Sequence, residues 1–487
     1  MSVAFLDIVA AFDKVWHDGL LYKVFKAGIQ GRSFRWIKAF LSSRWLRVIF
    51  GNEFSAWSRV GAGVPQGSIL GPLLFLIFLN DLPLPPFASF ALFADDIAVW
   101  SVFNGKRGDQ ALNRALSLIY DWSVRWHVLF SQAKSVSMAF TRKVSPISPL
   151  PLSFGPLPLA RSSRFKYLGL TLRPDLRWHD HCNRIISAAS HAAFRIARIV
   201  TPFGPSPRVI RQLVLTTVLP IISYGWPLWA APSKRHWAKL AAAICLPLRC
   251  ALGLPPNTHR LALFVETGLL SPQIDHQRLC LAFAHRCYAY LTPHASHYLF
   301  LHQYLLPLKP GTPKSQVRLG QSAAALESEW RVKIRFPLPH VLPGLAFQRQ
   351  LQELSKSKFS TRFKALSPPA SACAYVLRDP RSTAILRARI RLNRTHFNDH
   401  LFTRKLAPNP FCGTCPTERE TAHHVIFDCP AHDAARFALS NALTACDAPF
   451  SLAVITGDVS ALPPKCHKEV LAVTAKFLAS INVRRPI

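Results

Sequence analysis

Carboxylates are scarce in this chain. Its 487 residues hold 25 Asp and Glu against 59 Lys and Arg, a formal charge of +34. Such an excess repels itself unless a polyanion neutralises it. Lys and Arg that displace counterions from phosphates make nucleic acid the leading partner, with another anion such as a membrane leaflet as the alternative. Long apolar runs are missing too. The longest, residues 69–79, contains Gly71 and Pro72 and is too short to span a bilayer, so no transmembrane segment is expected. No secretory leader is read at the start, where Asp7 interrupts the first apolar stretch and no basic segment precedes it. Cysteine is odd in number at 11 and mostly scattered. That fits a reduced, intracellular compartment, where clustered Cys points to metal rather than to disulfides. There is no internal repeat. Half the residues are apolar, so a sizeable core is expected and global disorder is excluded.

The pattern along the chain is mixed α and β at first and mostly helical later. Residues 2–8, 46–50, 87–100, 136–140 and 165–172 read as strands, with a tight turn at Ala94-Asp95-Asp96. Residues 19–41 and 111–126 carry helical spacing, and 69–79 reads as a buried helix after a Pro-Gln-Gly turn. Residues 145–158 read as a loop and 309–322 as a linker. In 181–200, Ile185, Ala189, Ala193 and Ile196 share one helical face, with Arg184, His191, Arg195 and Arg198 on the other. That basic face is either a phosphate contact or simply solvated. A second basic run follows at Arg387, Arg389, Arg391 and Arg394.

With acids so few, an Asp in an apolar strand is informative, because an unpaired buried charge costs several kcal/mol. Three features concern such positions or the turn between them. They are Phe5-Leu6-Asp7-Ile8 leading to Ala11-Phe12-Asp13, then Gly63-Val64-Pro65-Gln66-Gly67-Ser68, then Phe93-Ala94-Asp95-Asp96. If their strands are neighbours, Asp7 and Asp95 converge into an oxygen-ligand site for hard divalent cations, suited to phosphoryl transfer.

These features resemble the polymerase motifs of non-LTR, LINE-type retrotransposon reverse transcriptases, especially the jockey-like group. Residues 5–24 resemble motif A, 62–74 motif B and 93–96 motif C. Residues 126–140 with Lys134 are similar to motif D, and Phe165-Lys166-Tyr167-Leu168-Gly169 to motif E. Tyr224-Gly225 and the helical run around it are similar to the thumb and connector. The resemblance covers roughly residues 3–270 and returns at 385–430. It implies an α+β palm with an antiparallel sheet over residues 1–180, a helical thumb and connector over 181–308, a basic helical region over 323–405, a small zinc module over 406–435 and a tail over 436–487. It implies RNA-directed DNA polymerase activity with an RNA template, a DNA primer or target, dNTPs, and two Mg²⁺ (or Mn²⁺) at Asp7 and Asp95, with Asp96 supporting. Phe12 is implied as a steric gate, and Pro65, Gln66 and Gly67 as contacts to template and nucleotide. Lys134 is implied near the departing pyrophosphate, and Leu168 and Gly169 in the primer grip. No membrane partner is implied, and the setting is a cytoplasmic ribonucleoprotein and the nucleus. A remnant that binds RNA through basic helices and the zinc module, without polymerising, is the alternative.

Cys412, Cys415, His424 and Cys429 stand at C-x2-C-x8-H-x4-C spacing, enough for a tetrahedral Zn²⁺ site, with His423 or His432 as substitute ligands. The pattern resembles the C-terminal CCHC module of the same family, whose Glu420-Thr421-x-x-His424 signature favours His424. Motif A begins at residue 5, so the sequence reads as lacking the family's fingers and N-terminal endonuclease. Between Ala197 and Asn398 the only acids are Glu266, Asp275, Glu327, Glu329, Glu353 and Asp379, and they do not assemble into an RNase H carboxylate set.

Overall fold

The computed structural model describes residues 1–101, 103, 105–141, 150–201, 203–229, 233–289, 326, 328–330, 338–356 and 373–481. The linker expected at 309–322 lies outside them, as do parts of the loop, connector, basic-region and tail segments. The chain forms two compact units, Met1–His181 and Cys182–Ile487. The second spans the four segments that the sequence divides at 181–308, 323–405, 406–435 and 436–487, apart from residue 181. Among the described residues no helix is long and apolar enough to cross a membrane.

The first unit is built on a five-stranded sheet. Its order is Ala160–Arg161, Val136–Ala139, Ser2–Asp7, Asp96–Ser101, Ala88–Phe93, antiparallel except for the short edge pair with Val136–Ala139. The central strand is buried on both faces, so its apolar run is unbroken until Asp7. Ala4, Leu6 and Ile8, with Ile97 and Val99, face the main core. Val3 and Phe5 face the other way, with Ala98 and Met138, against Phe165 and Tyr167. Asp7 continues the second set, because side chains two apart share a face.

The helices His17–Lys26, Leu70–Leu79 and Gly105–Arg125 are tied together by one cation. Lys23 is buried, and its Nζ donates to the Phe78 carbonyl at 2.6 Å and to Asp81 Oδ1 at 2.5 Å. The ammonium also lies 3.7 Å from the Trp126 ring centroid and 4.7 Å from that of Trp122, whose Nε1 donates to the same Asp81 oxygen. Burial pushes the Lys23 pKa down, and the Asp81 bond opposes this.

Several local expectations change. The helix read over 19–41 is two, His17–Lys26 and Gly31–Leu41, because Gly28 between them and Gly31 at the start of the second take positive φ. The strand read over 46–50 divides into Arg44–Leu46 and Ile49–Phe50. Residues 153–158, read as loop, form a small hairpin of Ser153–Phe154 with Leu157–Pro158. Residues 165–172 are two strands around a Leu168-Gly169 turn. Leu70–Leu79 buries Leu74, Phe75 and Phe78 but exposes Leu73 and Leu76. Apolar residues all round it hid which side faces the core.

Helix His179–Arg198, in the second unit from Cys182 onward, buries Cys182, Ile185, Ala189 and Ile196 and exposes Arg184, His191, Arg195 and Arg198. The second basic run behaves differently. Arg387 and Arg391, on helix Arg381–Arg391, are buried. Arg391 Nε donates to both Glu266 oxygens at 2.9 and 3.0 Å, and Glu266 also accepts from Tyr375 and Cys373. Arg387 donates to Asp379 at 2.6 Å, to the Ile455 and Leu471 carbonyls at 2.7 Å each, and to Thr474. These two arginines are core cross-links and are not available to phosphates. The tail helices Asp433–Thr444, Leu452–Ile455 and His467–Ser480 belong to this packing.

Candidate active site and metal cluster

The register places Asp7 directly opposite Asp96. Opposed residues of an antiparallel pair point to one face, with Cβ atoms about 5 Å apart. Asp95 lies in the turn that joins Ala88–Phe93 to Asp96–Ser101. The turn is held open by Ala94 at φ 53°, a left-handed conformation that costs a non-glycine residue about 1 kcal/mol. Asp7 and Asp96 thus share one end of the sheet face that carries Phe5, with Asp95 in the adjoining turn. Burial first, then the charges of Asp95 and Asp7, push the Asp96 pKa up. Asp7 Oδ2 is buried with no hydrogen-bond partner, and its nearest cation is Lys134 Nζ at 3.5 Å. Segment 131–135 holds this arrangement: Ser131 N–H donates to the Asp7 carbonyl at 2.8 Å, and the Asp7 N–H donates to Ser135 Oγ at 3.2 Å.

The loop after the central strand is knitted to residues 63–66. Val64 N–H donates to the Phe12 carbonyl and Gly63 N–H to the Val15 carbonyl, both at 2.8 Å. Gly63 has φ +90°, and a Cβ there would lie 2.6 Å from the Asp13 carbonyl oxygen. Gln66 Nε2 donates to Asp13 Oδ1 at 2.8 Å, which fixes an exposed amide. Phe12 stacks on Phe75 at 4.7 Å. Pro65 accepts from Ser68 Oγ at 2.7 Å. Gly67 has φ +81°, and a Cβ there would meet nothing within 4 Å, so its backbone angle, not a close neighbour, requires glycine.

Leu168 and Gly169 have φ 44° and 78°, the paired left-handed residues of a two-residue hairpin turn. This hairpin packs on the carboxylate-bearing face through Phe165, stacked 4.6 Å from Phe5, and Tyr167 at 5.1 Å. The Tyr167 hydroxyl is buried without a hydrogen-bond partner, and burial and then the charge of Asp96 push its pKa up. Sequence reasoning gave no role to Asp13, Ser135 or Tyr167. Asp13 and Tyr167 sit inside quoted motifs, but their partners lie far along the chain.

A second constellation lies in the other unit. Cys412 and Cys415 flank a tight turn closed by Cys412 N–H to Glu418 and Glu418 N–H to Cys415. His424 opens the helical turn His424–Asp428, and Cys429 ends it. One ligand atom from each of Cys412, Cys415, His424 and Cys429 lies within 4.8 Å of every other. A tetrahedral site with metal–sulfur bonds of roughly 2.3 Å sets sulfurs about 3.8 Å apart, and Cys412 Sγ lies 3.9 Å from Cys429 Sγ. His424 Nε2 is buried without a hydrogen-bond partner. His423 turns away, exposed and paired with Asp428 at 3.0 Å. Desolvation, then bonding to and repulsion by Cys429 and Cys412, push the Cys415 thiol up to about 11. The donor set therefore suits a thiophilic cation.

Residues 1–172 match the family described as reverse transcriptase (RNA-dependent DNA polymerase). The chain is 28% identical over 320 residues to the probable RNA-directed DNA polymerase from transposon BS of Drosophila melanogaster, covering 63% of this chain and 34% of that protein. It is 29% identical over 262 residues to the RNA-directed DNA polymerase from mobile element jockey of the same species, covering 52% and 28%. It is 35% identical over 186 residues to the jockey protein of Drosophila funebris, covering 36% and 20%. The chain thus spans about a third or less of the length of these curated relatives.

Proposed function

We propose that this chain, whose residues 1–172 match the reverse-transcriptase family and which is similar over part of its length to non-LTR retrotransposon RNA-directed DNA polymerases, extends a DNA 3′ end on an RNA template with dNTPs. The observation that carries the reading is the register of Asp7 against Asp96, with Asp95 in the adjoining turn and a buried Asp7 oxygen left without a hydrogen bond. Asp7, Asp95 and Asp96 would hold two Mg²⁺ ions. When bound, such ions lower the pKa of an attacking hydroxyl and stabilise the leaving oxygen.

The remaining roles fall to side chains around them. Lys134, exposed beside Asp7, supplies positive charge where pyrophosphate departs. Phe12, braced by Phe75, is the steric gate that rejects a 2′-hydroxyl. Pro65, Gln66 and Gly67 meet template and incoming base, with Gln66 oriented by Asp13. Leu168 and Gly169 present the turn backbone to the primer. The division into palm, thumb and connector, basic region, zinc module and tail follows the same reading, as does action in a cytoplasmic ribonucleoprotein and the nucleus.

Primer extension on an RNA template tests the assignment. Asp95→Ala is expected to lower it at least a thousandfold, about 4 kcal/mol of transition-state stabilisation, with unchanged thermal melting. Extension that survives this change would sink the site.

In the second unit, Cys412, Cys415, His424 and Cys429 would bind a structural Zn²⁺ and organise a small nucleic-acid-binding module. Elemental analysis of the purified chain should find one zinc per molecule, lost in Cys412→Ser. Because binding free energy of such a site is also folding free energy, chelation should lower the melting temperature of the wild type and leave that variant unmoved. Full stability after removal of the metal would contradict the assignment.

A further inference from the structure

Residues 44–60 form an exposed hairpin arm with almost no core of its own. Arg44–Leu46 pairs with Ser58–Val60, and Ile49–Phe50 with Glu53–Phe54, around a turn with Gly51 at φ +60°. Every residue from 45 to 59 is exposed, including Phe50 at 86%, Trp45 at 59% and Trp57 at 58%. Large rings so fully in water lose the burial free energy that normally places them, so an occupant is called for. The arm carries Arg44, Arg47 and Arg59 against one acid, Glu53. The register sets Trp45 opposite Arg59, which puts an indole and a guanidinium on the same face. Arg47 lies over the rings of Phe54 at 4.2 Å and Trp57 at 4.7 Å. Val48 and Ser55 exchange hydrogen bonds across the arm, which keeps its shape without a core.

We propose that this arm is a docking surface for single-stranded nucleic acid, stacking unpaired bases on Trp45, Phe50 and Trp57 and drawing phosphates to Arg44, Arg47 and Arg59. A ring beside a fixed cation matches the repeat of base and phosphate along one strand. A duplex keeps its base faces stacked and offers the rings nothing. A protein partner would use the apolar rings but not the arginines interleaved with them, in a chain already at +34. The inference deepens the polymerase reading and rests on it only for the class of ligand.

Fluorescence anisotropy with labelled oligo-rU, oligo-dT and a duplex of equal length tests it on the full chain. Trp45→Ala with Trp57→Ala is expected to weaken single-strand binding at least about tenfold and duplex binding less than about twofold. The rU and dT arms report whether template-type or primer-type strand is preferred. Arg44→Ala with Arg59→Ala should lower the slope of log affinity against log salt by about 1.4 for single strands. Unchanged single-strand affinity in the tryptophan variant, with wild-type melting, overturns the proposal. So does an equal loss on duplex. Sedimentation that shows the variant turning a dimer into a monomer without altered RNA binding assigns the arm to a second copy of the chain instead. Strand binding does not depend on Asp95, so a failed extension assay leaves this result readable.

Discussion

Half-buried carboxylates of the first unit and buried carboxylates of the second are compensated in opposite ways. In the first, Asp7, Asp95 and Asp96 crowd one end of a sheet, and burial and mutual repulsion push the Asp96 pKa up. The cation beside Asp7 is the exposed Lys134. In the second, Glu266 and Asp379 are buried among side chains yet each meets a buried arginine in direct ion pairs, Arg391 and Arg387. A carboxylate that stabilises a fold is neutralised by its own chain. A carboxylate kept for chemistry is left for a cation to be supplied from outside. Among the described residues, Glu266, Asp275, Glu329 and Asp379, four of the acids between Ala197 and Asn398, pair with Arg391, Arg278, Arg349 and Arg387.

The contrast is broken most severely by Arg391→Ala. It strands Glu266 in the core and is expected to cost roughly 3–5 kcal/mol in urea unfolding, with loss of fold as the extreme result. Arg391→Met with Glu266→Leu should recover much of that loss, because both charges leave together. A single variant as stable as wild type would show that the pair contributes nothing. A smaller effect concerns His396, whose pKa is depressed to about 4 by burial first and then by Arg389, His400 and Arg404. The folded unit prefers the neutral ring, so this stability is present above pH 6.5 and is lost as pH falls from 6.5 towards 4. His396→Asn should shrink the acid loss by about 1 kcal/mol when unfolding at roughly pH 7 and pH 4.5 is compared. An undiminished loss would place the acid sensitivity elsewhere. The smallest effect is Asp96→Asn. A raised carboxylate pKa means the folded state holds its proton more tightly than the unfolded chain, so ionisation at neutral pH opposes folding. The substitution should therefore raise the melting temperature by about 1–2 °C in chelator. In excess Mg²⁺ the wild type should gain and the order should reverse. A lower melting temperature in chelator would show that Asp96 is already compensated.

Legibility followed the sequence separation of partners. The turn at Ala94-Asp95 and the Cys412–Cys429 cluster are local, so residue type and spacing disclosed them. Asp7 and Asp95 stood out because charge is rare in apolar strands. The buried arginines did not stand out, because a run of Arg on a helix reads alike whether it meets phosphate or a glutamate 125 positions away. The Lys23 cage was equally opaque: Asp81 and Trp122 come from distant segments, and a lysine in a helix predicts solvent. The helix break at Gly28 was in view, since glycine with a positive φ ends a helix, yet the apolar spacing on either side overrode it. The hairpin turn at Leu168-Gly169 was missed for a related reason: Leu168 rarely adopts a left-handed φ, and the following glycine alone did not announce it.

Arg387 ties the order of translation to the core of the second unit. Its guanidinium finds acceptors at Ile455, Leu471 and Thr474, on segments synthesised about seventy to ninety residues after it. A ribosome that stops short of position 471 releases a chain in which that charge keeps Asp379 but loses the Leu471 and Thr474 oxygens. A nonsense or frameshift change in the last helix thus reaches back into the core of the second unit, and a downstream lesion is felt as a folding defect far upstream.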